Sequence, residues 1–170
     1  VHEKEVVDLD YPIKKNIYNL SDYLNKKPED LTACIMDRPR HNSIIKELNN
    51  LKVKIKLITD GDVSGALLVT DKKYNVDIFL GIGGGPEGVL AASALDTFNC
   101  FFQGRFIFEK DEDINEAKKI GINDLDKKYN LNELVRGDSI FCATGITSGD
   151  VLKGIKINNQ EFVSETLITH

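Results

Sequence analysis

Apolar residues in the first hundred positions alternate between two periods. Ile13, Ile17, Leu20 and Leu24 recur every three or four residues and predict a helix from Pro12 that Pro28 stops. The run "LTACIMD" (31–37) has the length of a buried strand, and Ile44, Ile45, Leu48 and Leu51 mark one face of a helix within "RPRHNSIIKELNNL". "VKIKLIT" (53–59) alternates with the period of two of a strand, and "DGDVSGALLVT" then sets two acids around a glycine ahead of a small-residue helix. "YNVDIFLGIG" and "GGPEGVLAASALDTF" repeat the unit a third time. This repetition predicts an α/β fold, a mostly parallel sheet with flanking helices.

Beyond Phe98 the pattern is shorter-ranged. "GRFIF" predicts a strand, "DEDINEAKKIG" a helix with acids at its start and lysines at its end, and "YNLNELVRG" a further helical turn. "DSIFCATG" predicts another strand running into the turn of "ITSGDVLKGIKI", and "EFVSETLIT" an edge strand. The opening "VHEKEVVDLDY" (1–11) is too polar for a domain of its own. It reads as a linker, or as a strand continuing from a preceding N-terminal half, which leaves 12–170 as one α/β domain.

Charge and cysteine usage narrow the classes. The chain has 170 residues and a net charge of −5, with lysines scattered among acids, so a nucleic-acid partner is not expected. Cys34, Cys100 and Cys142 lie far apart, which suggests neither a zinc knuckle nor a disulfide framework; "ACIM" and "IFCA" predict buried, reduced thiols for Cys34 and Cys142. No apolar run approaches the roughly 20 residues of a membrane span, and the first residues are charged where a signal peptide is apolar. The expectation is a cytoplasmic protein without a membrane partner.

Candidate chemistry gathers where strands end. In open α/β sheets ligands lie beyond the carboxyl ends of the strands. Four loops qualify: "DRPRH" (37–41), "DGD" (60–62), "GIGGGPEG" (81–88) and "TGITSGD" (144–150). Parallel, adjacent strands would set all four around one crevice. The glycine loop is not a dinucleotide fingerprint, because Pro86 stands where the third glycine belongs and has no N–H to offer a pyrophosphate. Nor is it a P-loop, since Gly88 is followed by Val89 and Leu90. What remains is a turn needing Gly83 and Gly84, with Pro86 at the first helical position and Glu87 in the first turn. Glu87 then either complements the helix dipole or serves a ligand. Asp60, Gly61 and Asp62 read either as a helix-capping turn or as hydrogen-bonding partners of a polyhydroxylated ligand. Arg38 and Arg40 on either side of Pro39 suit an anionic phosphate, and His41 reads as a polar surface residue at the next helix start.

Taken in order, "DRPRH", "TDGDVSGAL", "GIGGGPEGVLAASAL", "ATGITSGDVLKGI" and "SETLIT" closely resemble the second half of the class II fructose-1,6-bisphosphatases, including the dual sugar-bisphosphatases of cyanobacteria. The resemblance covers nearly the whole chain. It implies the C-terminal half of an inositol-monophosphatase-like fold, with 12–170 as a sugar-binding domain. It also implies a cytoplasmic, homo-oligomeric (dimeric or tetrameric) enzyme of gluconeogenesis and glycerol metabolism, hydrolysing the 1-phosphate of fructose 1,6-bisphosphate with Mn2+ or Mg2+. Carried over by position, Glu87 matches the family's metal-binding glutamate and Gly84 a substrate-contacting glycine. Asp60, Gly61 and Asp62 match the segment that holds the sugar, and Arg38, Pro39 and Arg40 a phosphate-contacting stretch that often reads Lys-Pro-Arg. The family's Asp-Pro-x-Glu-Gly-Thr motif, with the other metal ligands and the catalytic threonine, is not in this sequence, so no catalytic residue is assigned and the isolated chain is expected to be inactive. That departure keeps a second expectation open, a non-catalytic sugar-phosphate-binding module.

Overall fold

The computed structural model describes residues 6–170. The stretch read as a linker therefore lies partly outside the described residues, and its remainder, 6–11, forms bends and turns. Helix α1 (Ile13–Leu24) buries Ile17 and Leu20, as its apolar spacing requires. Its stop differs from the one expected. Asn25 takes a left-handed conformation (φ 52°), and the Lys26 N–H closes back on Ser21 O at 2.9 Å, so the helix ends at Leu24, four residues before Pro28. Pro28 instead opens a separate 3-10 turn, Pro28–Asp30.

Strand β1 (Thr32–Met36), helix α2 (Asn42–Asn50), strand β2 (Lys54–Ile58), helix α3 (Asp62–Leu67), strand β3 (Ile78–Phe79) and helix α4 (Gly85–Asp96) follow in the expected order. β1 is the centre of a parallel sheet ordered β2–β1–β3, with Ala33 opposite both Ile55 and Ile78. Because side chains alternate along β1, Ala33 joins Ile17, Leu20, Leu31, Leu48 and Val53 under α1 and α2. Cys34 joins Leu68 and Val76 on the other side. β1 is thus covered on both faces, which is why its sequence reads as a continuous apolar run. The small side chains of α4 pack within the chain: Ala91 and Leu95 meet Ala66 of α3, with Phe79 of β3 alongside.

The parallel arrangement stops there. β4 (Gln103–Arg105) pairs with β5 (Lys128–Asn130), β6 (Phe141–Thr144) with β9 (Thr166–Thr169), and β7 (Lys156–Asn158) with β8 (Glu161–Val163), all antiparallel two-stranded ribbons. For β7–β8 the reason is connection length: Asn159 and Gln160, both at positive φ, join the two strands, and so short a link permits only antiparallel pairing. "EFVSETLIT" accordingly divides into β8 and β9, and only Gly104 and Arg105 of "GRFIF" pair. Two helices, α5 (Asp111–Lys119) and α6 (Leu131–Leu134), complete the fold.

The cysteines follow the same division. Cys34 is buried, which pushes its thiol up to about 11, and burial raises the half-buried Cys100 thiol as well. Cys142 is exposed, contrary to expectation, because the alternation of β6 sets it opposite Ile168 on the uncovered face of the ribbon.

An ionic staple returns the start of the described chain to the β4–β5 ribbon. Lys128 Nζ lies 2.6 and 2.7 Å from the two Asp8 carboxylate oxygens and 2.6 Å from Asp10, Arg105 pairs with Asp10, and the Leu9 N–H donates to Gln103 Oε1. Partial burial raises the Asp8 carboxyl, but hydrogen bonds from Lys128, the Asp10 N–H and Gln103 outweigh it and hold it below the ordinary value. Hydrogen bonds from Lys128 and then Arg105 hold Asp10 low as well. Among the described residues, no helix is long and apolar enough to cross a membrane.

Candidate active site

The order β2–β1–β3 reverses between β1 and β3, and a ligand crevice opens at such a switch point beyond the carboxyl ends of the strands. Three of the four expected loops meet there, since 37–41, 60–62 and 81–88 follow β1, β2 and β3. The fourth, 144–150, arrives from an antiparallel ribbon and does not reach the switch point by strand adjacency. It docks at the β2 side instead: Lys56 Nζ lies 3.0 Å from Asp150 Oδ1. Gly149 and Asp150 share with Ile58, Asp60, Ser64, Gly65 and Leu68 a cavity of about 90 Å³.

Two carboxylates bracket the glycine turn. Asp62, the first residue of α3, lies so close to Gly83 that a Cβ added there would sit 2.6 Å from Asp62 Oδ2. Glu87 curls back over Gly84, where a Cβ would collide with Glu87 Oε2. Gly84 has an ordinary φ of −71°, so this glycine supplies clearance for a carboxylate rather than a left-handed turn. Helix α4 starts at Gly85, one residue earlier than expected, so Pro86 is its second residue and Glu87 its third. Among the described residues, neither Asp62 nor Glu87 has a hydrogen-bond or ion-pair partner. Asp60 is turned inward on its own loop, accepting from the Gly61 N–H at 2.8 Å, and Gly61 takes φ 88° to start α3.

Pro39 opens a short 3-10 turn that separates the two arginines. Arg38 donates through Nη2 to Thr59 O (2.7 Å), at the end of β2, and through Nη1 to Asp37 O (3.0 Å). Arg40 donates through Nε to Ile82 O (2.6 Å), just past β3. They diverge, one toward the "DGD" loop and one toward the glycine loop. His41 departs most from expectation: it is fully buried, with Nδ1 2.7 Å from Met36 O and Nε2 accepting from the Ile82 N–H at 2.8 Å. Its partner lies 41 residues downstream, which is why local pattern reading places it on the surface.

The three loops hold the carboxylates Asp37, Asp60, Asp62 and Glu87 against the guanidinium groups of Arg38 and Arg40. An excess of acids suits a cation better than a bare phosphate. Among the described residues, no group of three or more His, Cys, Asp or Glu side chains could hold a metal ion. An exposed carboxylate without a protein partner, as Glu87 is, fits the contribution of one ligand to a site that draws its others from elsewhere.

Sheet order and loop chemistry place the chain among α/β proteins with a switch-point site that combines acids, arginines and bare backbone. Comparison with known proteins makes the class specific: the sequence model of the family described as bacterial fructose-1,6-bisphosphatase, glpX-encoded, matches residues 1–170. A fructose-1,6-bisphosphatase class 2 of Haemophilus influenzae is 39% identical over 97% of this chain and 54% of its own length. D-fructose 1,6-bisphosphatase class 2/sedoheptulose 1,7-bisphosphatases of Synechococcus sp. (strain JA-3-3Ab) and Synechocystis sp. are 36% and 33% identical, each matched over 51% of its length. The chain belongs to the class II fructose-1,6-bisphosphatase family. It spans about half the length of these relatives.

Proposed function

We propose that the protein acts as a fructose-1,6-bisphosphatase, releasing the 1-phosphate to leave fructose 6-phosphate, with this chain forming the sugar-binding part and giving one metal ligand, Glu87. The observation that carries the reading is the family match over all 170 residues, together with the meeting of three family-like loops at one switch point. In this reading the inositol-monophosphatase-like fold of the family supplies the larger frame.

Asp60, Gly61 and Asp62 offer carboxylate acceptors and backbone N–H groups to the sugar hydroxyls, and Gly84 lets the substrate approach the backbone closely. Arg38, Pro39 and Arg40 form the wall for the phosphate that is not cleaved. Arg40 is oriented by Ile82 O at 2.6 Å and Arg38 by Thr59 O at 2.7 Å, so little side-chain freedom is left to lose when an anion binds. Glu87 would hold Mn2+ or Mg2+, which supplies charge neutralisation at the phosphoryl oxygens and an activated water. The acid-rich crevice supports this need, because a bisphosphate entering it without divalent cations meets net repulsion.

The test is phosphate release from fructose 1,6-bisphosphate by the full-length protein with Mn2+, compared with Glu87→Ala. Loss of one metal ligand is expected to lower activity roughly 100-fold or more; equal turnover in the two proteins removes Glu87 from the mechanism. A second reading, a sugar-phosphate-binding module without catalysis, is favoured by one observation, the lack of a three-ligand metal group among the described residues. Metal-independent, micromolar binding of fructose 1,6-bisphosphate to this 170-residue chain in calorimetry would select it.

A further inference from the structure

The ladder between β1 and β3 contains one side chain in place of backbone. The Leu80 N–H donates directly to Cys34 O at 3.0 Å. Two residues further along each segment, the next bond donated from the β3 side would join the Ile82 N–H to Met36 O. Those two groups do not meet. The Ile82 N–H donates to His41 Nε2 (2.8 Å) instead, and the opposite ring atom, Nδ1, faces Met36 O at 2.7 Å. The imidazole therefore relays the rung and stands between the strands where the sheet order reverses. Ile82 O also lies 3.2 Å from Nε2, but the Ile82 N–H is nearer and Met36 O can only accept, so Nε2 is assigned as the acceptor and the ring proton to Nδ1, donated to Met36 O. Arg40 Nε takes the carbonyl of the same residue, Ile82, at 2.6 Å. Gly81 lies against the ring, its built Cβ position 3.7 Å from Nε2.

This arrangement has two consequences. A ring inserted into a ladder keeps the two backbones from bonding directly, so beyond Cys34 and Leu80 the segments are joined through the imidazole. The residues next after Ile82 are Gly83 and Gly84, which lie beside Asp62 and Glu87. We infer that His41 is a positioning residue: its imidazole is a built-in spacer that opens the switch-point crevice and fixes the glycine turn beneath Glu87. The metal part of this inference rests on the reading given under Proposed function; the spacer itself does not.

The wild-type chain provides the first measurement. Long-range 15N correlation spectra should show His41 as the Nδ1–H tautomer, and an Nε2–H ring would overturn the proposal. Amide exchange in H41Q and H41F provides the second. Phenylalanine fills the space but offers neither donor nor acceptor, whereas glutamine restores one of each on a single amide. In H41F the Ile82 amide should exchange about 10- to 100-fold faster than in wild type, with most of the protection regained in H41Q. Unchanged Ile82 exchange in H41F overturns the relay. In the full-length protein, H41F should raise the Mn2+ concentration giving half-maximal phosphate release about tenfold or more, and H41Q should reverse most of that rise. An unshifted Mn2+ dependence beside faster Ile82 exchange overturns the link to Glu87. If the full-length wild type releases no phosphate at all, the functional reading fails, while the tautomer and exchange results still decide the spacer.

Discussion

β1 and the β7–β8 ribbon both carry large apolar side chains, with opposite fates. Ala33, Cys34 and Ile35 are fully buried between helices on both sides, whereas Ile157 and Phe162 remain 68% and 74% exposed on a two-stranded ribbon. Apolar residues in a short strand do not by themselves make a core; a covering layer does. The three loops that carry Arg40, Asp62 and Glu87 are rooted in the covered sheet. The fourth hangs on the ribbons and is tied back through Lys56–Asp150 and Val151, which packs against the cluster around Cys34. Burial is therefore greatest under the switch point and falls toward the carboxyl terminus, and local stability is expected to follow it.

Leu48 is the position where that contrast should be largest. Its side chain is fully buried among Ile17, Leu20, Leu31 and Val53, so Leu48→Ala should cost about 2–5 kcal/mol in urea unfolding of this chain. A loss below about 1 kcal/mol would put the two regions on an equal footing. The staple joining 6–11 to the β4–β5 ribbon should show an intermediate effect, visible as pH dependence. Asp8 and Asp10 are held below the ordinary 3.8 in the folded protein, so their contribution is present above that pH and disappears as pH falls through their folded values. Lys128 is raised above 10.5, by Asp10 first and then Asp8, and its contribution is lost only as pH rises through that folded value. The thermal midpoint should fall from pH 7 to pH 3, and D8N/D10N should flatten that fall. An identical slope in the variant would assign the acid sensitivity to other carboxylates. Phe162→Ser should have the smallest effect, about 0.5 kcal/mol or less, because the ring is already in water. A loss of several kcal/mol in the same unfolding assay would show that the ribbon is covered in solution.

What the sequence reveals divides along the same line. β1, α2 and the loop at 81–88 are legible because each rests on local rules: a continuous apolar run, a 3.6-residue period, and Pro86 next to an acid at a helix start. The nearness of Arg38, Asp60 and Glu87 to one crevice follows once the strands are taken as parallel. Ribbon direction is not legible, because alternation predicts a strand without naming its partner. Local rules miss His41 for the same reason, since its bond from the Ile82 N–H depends on where a segment 41 residues downstream passes. The clearance role of Gly83 is also long-range in origin: a glycine run suggests freedom of φ, and it takes the position of Asp62, 21 residues upstream of Gly83, to show that the need there is room.

The unequal exposure of the three thiols gives the protein its own pair of chemical reporters. An alkylating reagent at neutral pH meets Cys142 on the open ribbon at once, but reaches Cys34 only when the helices lift from the sheet and its proton can leave. The ratio of the two modification rates then gauges how often the layered centre breathes, with no label added.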